Sequence, residues 1–578
     1  MRIPVKHPWT LPKRLLGTFV ILASIGRIQS EQKSSKQPNI VVIVADDLGW
    51  NDVSFHGADQ IPTPNIDALA YNGVILNRHY VLPTCTPSRT AFFTGRYPIR
   101  TGMQGKPLSV GEPRGIPLNV RLLPEHLRNL GYRTRLVGKW HVGYYTNEHT
   151  PTRRGFESFY GHYSGYISYF NYTISKNNHT GFDLHQDTAS TLEMRRNSNY
   201  ATDVFTEEAV KVIENHDATE PLYLHLAHPA PHSSEAKEVV EVRNMSEVNS
   251  RFGYIENINR RKFAGMMMAL DQSVGRIVKA LGDANMLDNS IIVFMADNGA
   301  QTEGFLENYG SNYPLRGLKF THYDGGVRGV ACIYSPLIKN NSRVSEQLLH
   351  VTDWLPTFYS LAGGDVNDLG DIDGLDQWSA ISLAENSARE SLLINIDDAV
   401  NLRGVVSGKF KLIEGAADLY GNYYGDTGNN NSYPEYNITE ILESDAGLAI
   451  TSIGNSLLTE TKILNLRSAS IVRCNNFTDF ANCSDTCLFN LQNDPCETTD
   501  VSADYPEIFI SLSKMIEIFE SELVPQTNTD VDPASYPEKF NGFWMPWVAS
   551  DSSTIIATSS LIGLINILLH IFSLIFFS

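Results

Sequence analysis

Six cysteines in 578 residues are too few for a disulfide-built scaffold, and none falls between residues 97 and 330. A chain of this length does not need one, because it can bury a large core of its own. Cations are also short: 46 Lys and Arg face 64 Asp and Glu, a net charge of −18, with no long basic run. Long-range attraction to a phosphate backbone is therefore missing, which removes nucleic acid as a default partner. No internal repeat stands out apart from one doubled strand-plus-acid pattern, and low complexity is confined to the short GNNNS at 428–432. What remains is 42% apolar, the composition of one large globular core with a second domain rather than a disordered tail or a collagen-like fibre.

The two ends carry long apolar runs. Residues 1–30 open with Arg2, Lys6, Lys13 and Arg14, continue through LLGTFVILASIG and reach Ser30 before the polar EQKSSKQ. Charged, then apolar, then small is the order of a secretory signal peptide. Residues 550–578 form a hydrophobic tail, apolar from 555 to 577 with Asn566 and His570 as its strong interruptions and no basic residue after it. A retained span usually keeps Lys or Arg on its cytoplasmic side. Small residues at 550–553, a short spacer and an apolar tail fit better the signal for a glycolipid (GPI) anchor. Both readings predict membrane attachment through the tail and passage through the secretory pathway to the extracellular face of the plasma membrane; a secreted or lysosomal protein is the alternative.

Eight Asn-x-Ser/Thr triplets, headed by Asn171, Asn178, Asn244, Asn340, Asn430, Asn437, Asn476 and Asn482, agree with that route and predict a glycoprotein with these stretches on surface loops. Cys474, Cys483, Cys487 and Cys496 crowd together near the C-terminus. In an oxidising compartment they predict two local disulfide bonds, with three pairings open. The Cys483-x3-Cys487 spacing leaves a zinc site as the competing reading.

Asn39 to Ala45, NIVVIVA, has the β-branched pattern of a parallel strand buried on both faces, and it ends in Asp46 and Asp47. Ser290 to Ala296, SIIVFMA, repeats the pattern and ends in Asp297 and Asn298. Acids at the C-terminal ends of such strands lie where open α/β sheets form their ligand crevices. Helical patterns from 122 and over 259–281, with strands at 221 and 329, extend the alternation to about residue 385. The expectation is an α/β fold, a large mixed and mostly parallel sheet flanked by helices. A catalytic domain over 36–390 and a smaller C-terminal α+β domain over 391–545 follow from the change to shorter strands, Gly/Asn-rich turns and a helix after Pro506.

Asp46, Asp47, Asp297 and Asn298 offer four hard oxygen donors without His or Cys, a set that selects calcium or magnesium over zinc or copper. Each acid could instead cap the helix after its strand; the doubled pattern favours the metal. The other constellation is Cys85-Thr86-Pro87-Ser88-Arg89 followed by Thr94-Gly95-Arg96.

With CTPSRTAFFTGR and both acidic strand ends stand GYRTRLVGKWHVG (131–143), PTRRGFESFYG (151–161), PLRGLKFTHYDGGVRG (314–329), DWLPTF (353–358) and LFNLQNDPCETTDVS (488–502). Together these strings resemble the type I sulfatases of the alkaline-phosphatase-like superfamily, and most nearly the arylsulfatase B branch. The resemblance implies a sulfuric ester hydrolase acting on a sulfated small molecule or sulfated glycan. It implies that Cys85 is oxidised by the formylglycine-generating enzyme to formylglycine, whose hydrate is the nucleophile. One Ca2+ would be held by Asp46, Asp47, Asp297 and Asn298 and would touch residue 85. Arg89 would hold the metal and the hydrate in register, Lys139 and Lys319 would clamp sulfate, His141 would take a proton from the hydrate, and His232, helped by Lys319, would protonate the leaving oxygen. The missing cysteines of 97–330 depart from the vertebrate pattern in stretches that include pocket-wall loops, so the resemblance does not carry a substrate.

Overall fold

A computed structural model describes residues 36–549 except 189–192, 237, 416–421, 429–432, 455–457 and 475–479. The leader and the tail lie outside the described residues. Among the described residues no helix is long and apolar enough to cross a membrane.

Nine strands form the main sheet: β1 (Asn39–Ala45), β2 (Val74–Leu76), β3 (Arg133–Lys139), β4 (Ser158–His162), β5 (His185–Thr188), β6 (Leu222–Ala227), β7 (Ser290–Ala296), β8 (Ala331–Tyr334) and β9 (Arg343–Ser345). Their order is β9-β2-β8-β7-β1-β6-β3-β4-β5. The run β7-β1-β6-β3-β4 is parallel throughout, while β8 runs antiparallel to both its neighbours and β5 antiparallel to β4. The sheet is thus mixed and mostly parallel, as the sequence led us to expect, although the strand near 329 reverses direction.

Side chains of β1 divide between two cores, because successive residues point to opposite faces. Val41, Ile43 and Ala45 enter the cluster under the long helix α4, while Ile40, Val42 and Val44 enter the one under α2. Of the helices that matter to the site, α1 spans Pro64–Asn72, α2 Cys85–Thr94, α3 Ala201–Glu214 and α4 Ile258–Asp283. Met266, Met267 and Met268 of α4 are core filler, all buried.

A separate four-stranded antiparallel meander is built from Ser391–Asp397, Leu402–Ser407, Phe410–Glu414 and Thr486–Asn490. The helix Pro506–Ser521 packs Leu512 and Ile516 onto it. Between its third and fourth strands the chain returns to the main body: Ile441, Ala446, Ile450, Ile463 and Leu466 are buried in the core beneath α4. Disulfides join Cys474 to Cys496 and Cys483 to Cys487, which selects one of the three pairings and consumes the thiols a zinc site would need. The six described glycosylation triplets, at Asn171, Asn178, Asn244, Asn340, Asn437 and Asn482, are all exposed at their asparagines.

Candidate active site

Strands β1 and β7 pair in parallel with Asn39 opposite Ser290 and Ala45 opposite Ala296. Both end at the same level, so the next residues, Asp46 and Asp47 on one and Asp297 and Asn298 on the other, emerge side by side. Asp47 adopts a left-handed backbone, φ 60°, and its N–H donates to Asp297 Oδ1 at 3.3 Å. The side-chain amide of Asn298 donates to Asp47 Oδ1 at 2.7 Å and to Gly299 O at 2.9 Å, leaving its own Oδ1 buried with no partner among the described residues.

Cys85 is the first residue of α2. The preceding loop is fastened to that helix by Ser88, whose hydroxyl accepts from Leu82 N at 2.8 Å, and the helix ends on left-handed Gly95, whose N–H donates to Ala91 O. This places the Cys85 sulfur 3.5 Å from Asp46 Oδ1 and 3.8 Å from Asp47 Oδ1. One ligand atom from each of Asp46, Asp47, Cys85 and Asp297 falls within 4.8 Å of the others, and all four residues are buried. Burial pushes the Cys85 thiol well up, against the pull of Lys139 and Lys319. An unmodified Cys85 is thus protonated and a poor nucleophile.

Three cations meet the three carboxylates. Lys139, at the end of β3, donates to both oxygens of Asp46 at 2.8 and 2.7 Å. Lys319 reaches Asp47 at 2.8 Å. Arg89, one helical turn from Cys85, grips Asp297 Oδ2 through Nε at 3.0 Å and Nη2 at 2.8 Å. The excess negative charge suggested by the strand ends alone is therefore balanced inside the protein. Even so, burial, together with Asp297 and Asp47, raises Asp46 to about 7 against Lys139, whereas Lys319 and His232 overcome burial at Asp47 and hold it at about 2. Three crowded carboxylates with one pushed toward protonation, an orphaned amide oxygen on Asn298 and a set made of hard donors fit a divalent cation.

Two histidines complete the arrangement. His141, also left-handed at φ 58°, points Nε2 at the Leu108 carbonyl at 2.9 Å. A carbonyl only accepts, so Nε2 carries the hydrogen, and the lone pair sits on Nδ1, which is buried without a partner. Burial, then Lys139, lower its pKa well below the ordinary range, which keeps the ring neutral. His232 directs Nδ1 to the Ser233 carbonyl at 2.6 Å and turns Nε2 toward Lys319 Nζ and Asp47 Oδ2, each 3.4 Å away. Burial brings it down to about 4 despite Asp47. His228 stands apart, bonded through Nε2 to Ser273 Oγ at 2.8 Å.

All the candidate residues named from the sequence therefore converge on one crevice. Several that residue type did not announce also belong there. Thr86 Oγ1 donates to His141 O at 3.1 Å and accepts from Leu108 N at 3.0 Å, holding that histidine's backbone beside Leu108, the partner of its ring. Asn308 ties the Asp47 carbonyl to that of Pro231. The Tyr166 ring stacks on His232 at 5.4 Å, 9° from parallel. Phe320, half exposed and left-handed at φ 75°, puts its ring 5.8 Å from Lys319 Nζ, and Phe305 is 78% exposed on a loop whose Leu306 carbonyl accepts from Ser233 Oγ. Of these, Thr86 lies inside the Cys-Thr-Pro-Ser-Arg string and Phe320 inside PLRGLKFTHYDGGVRG, and the others carried no signal.

The sulfatase family model matches residues 38–364. Mouse arylsulfatase J is 33% identical over 532 residues, 91% of this chain and 83% of that protein. Pig N-acetylgalactosamine-6-sulfatase is 31% identical over 361 residues, 60% of this chain and 66% of that one. Among solved structures, Ps i-CgsB in complex with k-i-k-neocarrahexaose superposes with a TM-score of 0.66 at 26% identity, covering 87% of this chain and 96% of that one. The match of fold, motif and length places this chain in the sulfatase family, the enzymes that hydrolyse sulfate esters.

Proposed function

We propose that this sulfatase cleaves its ester with a formylglycine made from Cys85 by the formylglycine-generating enzyme, beside one calcium ion. The observation that carries this reading is the Cys85 sulfur within 3.5 and 3.8 Å of two carboxylates of a buried hard-donor cage. Asp46, Asp47, Asp297, Asn298 Oδ1 and residue 85 would hold the ion. When bound it supplies Lewis-acid neutralisation of charge on a sulfate oxygen.

The chain's own groups account for the remaining steps. Lys139 and Lys319 neutralise the sulfate monoanion, which would otherwise repel an oxygen nucleophile. As one hydroxyl of the hydrated residue 85 gives its proton to a carboxylate of the cage and its oxygen bonds to sulfur, the ester S–O bond breaks and the leaving oxygen takes a proton from the His232–Lys319 pair, whose nitrogens lie 3.4 Å apart. His141 Nδ1 then accepts the proton of the second hydroxyl on residue 85. The carbon–oxygen bond to sulfate breaks, inorganic sulfate departs and the aldehyde returns. No water need attack sulfur. Phe320 and Phe305 give the leaving-group side apolar faces against which the ring of a sugar or phenol can rest.

The substrate class we favour is a sulfated glycan, supported by the neocarrahexaose named for one structural neighbour and the N-acetylgalactosamine-6-sulfatases among the relatives. Secretion, glycosylation and tail attachment fit such a substrate. Hydrolysis of nitrophenyl sulfate by purified protein, lost on Cys85→Ala and on chelation and restored by Ca2+, is the expected outcome. Equal or faster hydrolysis of nitrophenyl phosphate would contradict it.

A further inference from the structure

A second cleft lies at the junction of the main sheet and the four-stranded meander, with a volume of about 530 Å³. Its walls carry Arg78, Arg328, Lys409 and Arg473 against a single acid, Glu346. Four cations to one carboxylate in one cleft is a reversal of sign in a chain whose net charge is −18.

The four do not do the same work. Arg328 builds the wall: it lies 3.5 Å from Asp324, donates to Asn77 O and stacks 4.8 Å over the Trp50 ring. Arg78 donates to Gly408 O at 2.6 Å, which ties the edge of the main sheet to the meander while leaving its charge without a carboxylate partner among the described residues. Lys409 and Arg473 are exposed and form no ion pair among the described residues. Glu346 is engaged by the Asn77 side chain at 2.8 Å. Ile471, Leu491 and Pro495 supply apolar surface between the charges. Cations spaced around apolar patches suit a chain of sulfated sugar rings, which offers both anions and C–H faces.

Position strengthens the case. Asn77 and Arg78 follow the end of β2, and Glu346 follows the end of β9. Arg328 lies just ahead of antiparallel β8. All three points therefore emerge at the edge of the sheet from which Asp46, Asp47 and Asp297 emerge. From β1 the order runs β7, β8, β2, three strand spacings or about 14 Å.

We infer that this basic cleft is a secondary binding site for the sulfated chain of a glycan, holding polymer beyond the unit being hydrolysed. The inference rests on the proposed glycan substrate, and its test is chosen to be independent of turnover. Binding of a size-defined, fluorescently labelled chondroitin sulfate oligosaccharide is measured on full-length Cys85→Ala protein over a range of salt. The combined Arg78→Ser, Lys409→Ser and Arg473→Ser substitutions should weaken binding by roughly 10-fold and flatten its salt dependence, as expected when cation–anion contacts are removed. Lys409→Ser and Arg473→Ser singly, both at exposed positions, should each weaken it about 2-fold or more, so a poorly folding triple variant does not decide the matter. The unsulfated oligosaccharide should bind neither protein well. With Cys85 intact, the single variants should hydrolyse nitrophenyl sulfate at the unaltered rate. Unchanged binding in the variants overturns the inference, and so does inorganic sulfate that shields Lys409 from acetylation as well as the oligosaccharide does, since the cleft would then take only a small anion. Failure of the hydrolytic reading would show instead as absent ester cleavage, with the binding result untouched.

Discussion

His141 has one nitrogen committed to a carbonyl and the other buried with a free lone pair. That geometry suits a base that acts after the first bond has broken. His141→Ala should therefore release one equivalent of nitrophenol in a rapid burst and then stall, with steady turnover down by about 10²–10⁴ and sulfate retained on residue 85 by mass. Steady turnover without a burst would remove the histidine from this role. At this scale the sequence was uneven. Asp46, Asp47 and Asp297 were legible because each ends an apolar strand run. Lys139 and Lys319 were legible only through the strings quoted around them, and His232 only through HPAPHSS (228–234), since a lone Lys or His has no periodicity to betray a crevice. Thr86, Asn308 and Tyr166 act through backbone atoms and a ring face, contacts that residue type does not encode.

Lys139 is aimed by the strand it ends. At Gly138, φ 99°, a Cβ would stand 1.9 Å from Ala227 O on β6. The neighbouring Gly161 of β4 is equally tight against Gly138 O. Gly138→Ala must therefore push β3 away from β6 and carry Lys139 with it. We expect a loss of about 2–3 kcal/mol in stability together with a fall in activity. Gly131→Ala is the control: φ is 92° but nothing lies within 4 Å of its Cβ, so the cost should be about 1 kcal/mol with activity intact. Equal effects of the two in chemical denaturation would mean that strand contact is not what Gly138 serves. Strand identity was readable from NIVVIVA and SIIVFMA, but their direct pairing was not, because some 250 residues separate them and only tertiary packing selects the partner. The reversal of β8 was hidden for the same reason, since a short buried run has no marker of direction.

Across the whole molecule, buried histidines set the response to acid. Burial holds His56, His228 and His322 at about 3 and His79 at about 4. Each is neutral when folded and protonates near pH 6.5 when unfolded. Between those values the unfolded chain binds more protons, so stability falls as pH drops below about 6.5. Burial raises Asp67 to about 6 and Asp271 to about 7, which acts in the opposite sense over the same range. From pH 7 to 5 the four histidines cost about 2 kcal/mol each, while the two acids return about half of the total. His162, held at about 3, and His126 and His149, held at about 4, add more loss than Glu497, raised to about 7, returns, so the melting midpoint at pH 5 should lie lower by about 4 °C or more. A midpoint that is equal or higher at pH 5 would show that other groups dominate. The two-sheet architecture was expected from the change in composition near 391. The return of 438–470 to the core beneath α4 was not, because a run of short amphipathic helices does not name the surface it covers.

Residue 85 is encoded as a thiol, held protonated within 4 Å of two carboxylates. Mass spectrometry of the peptide that spans it, in preparations of graded specific activity, decides whether its oxidised form is the nucleophile. An aldehyde, trapped by a hydrazide reagent, should appear in that peptide in proportion to activity. A fully active enzyme whose peptide carries only the unmodified thiol would contradict it.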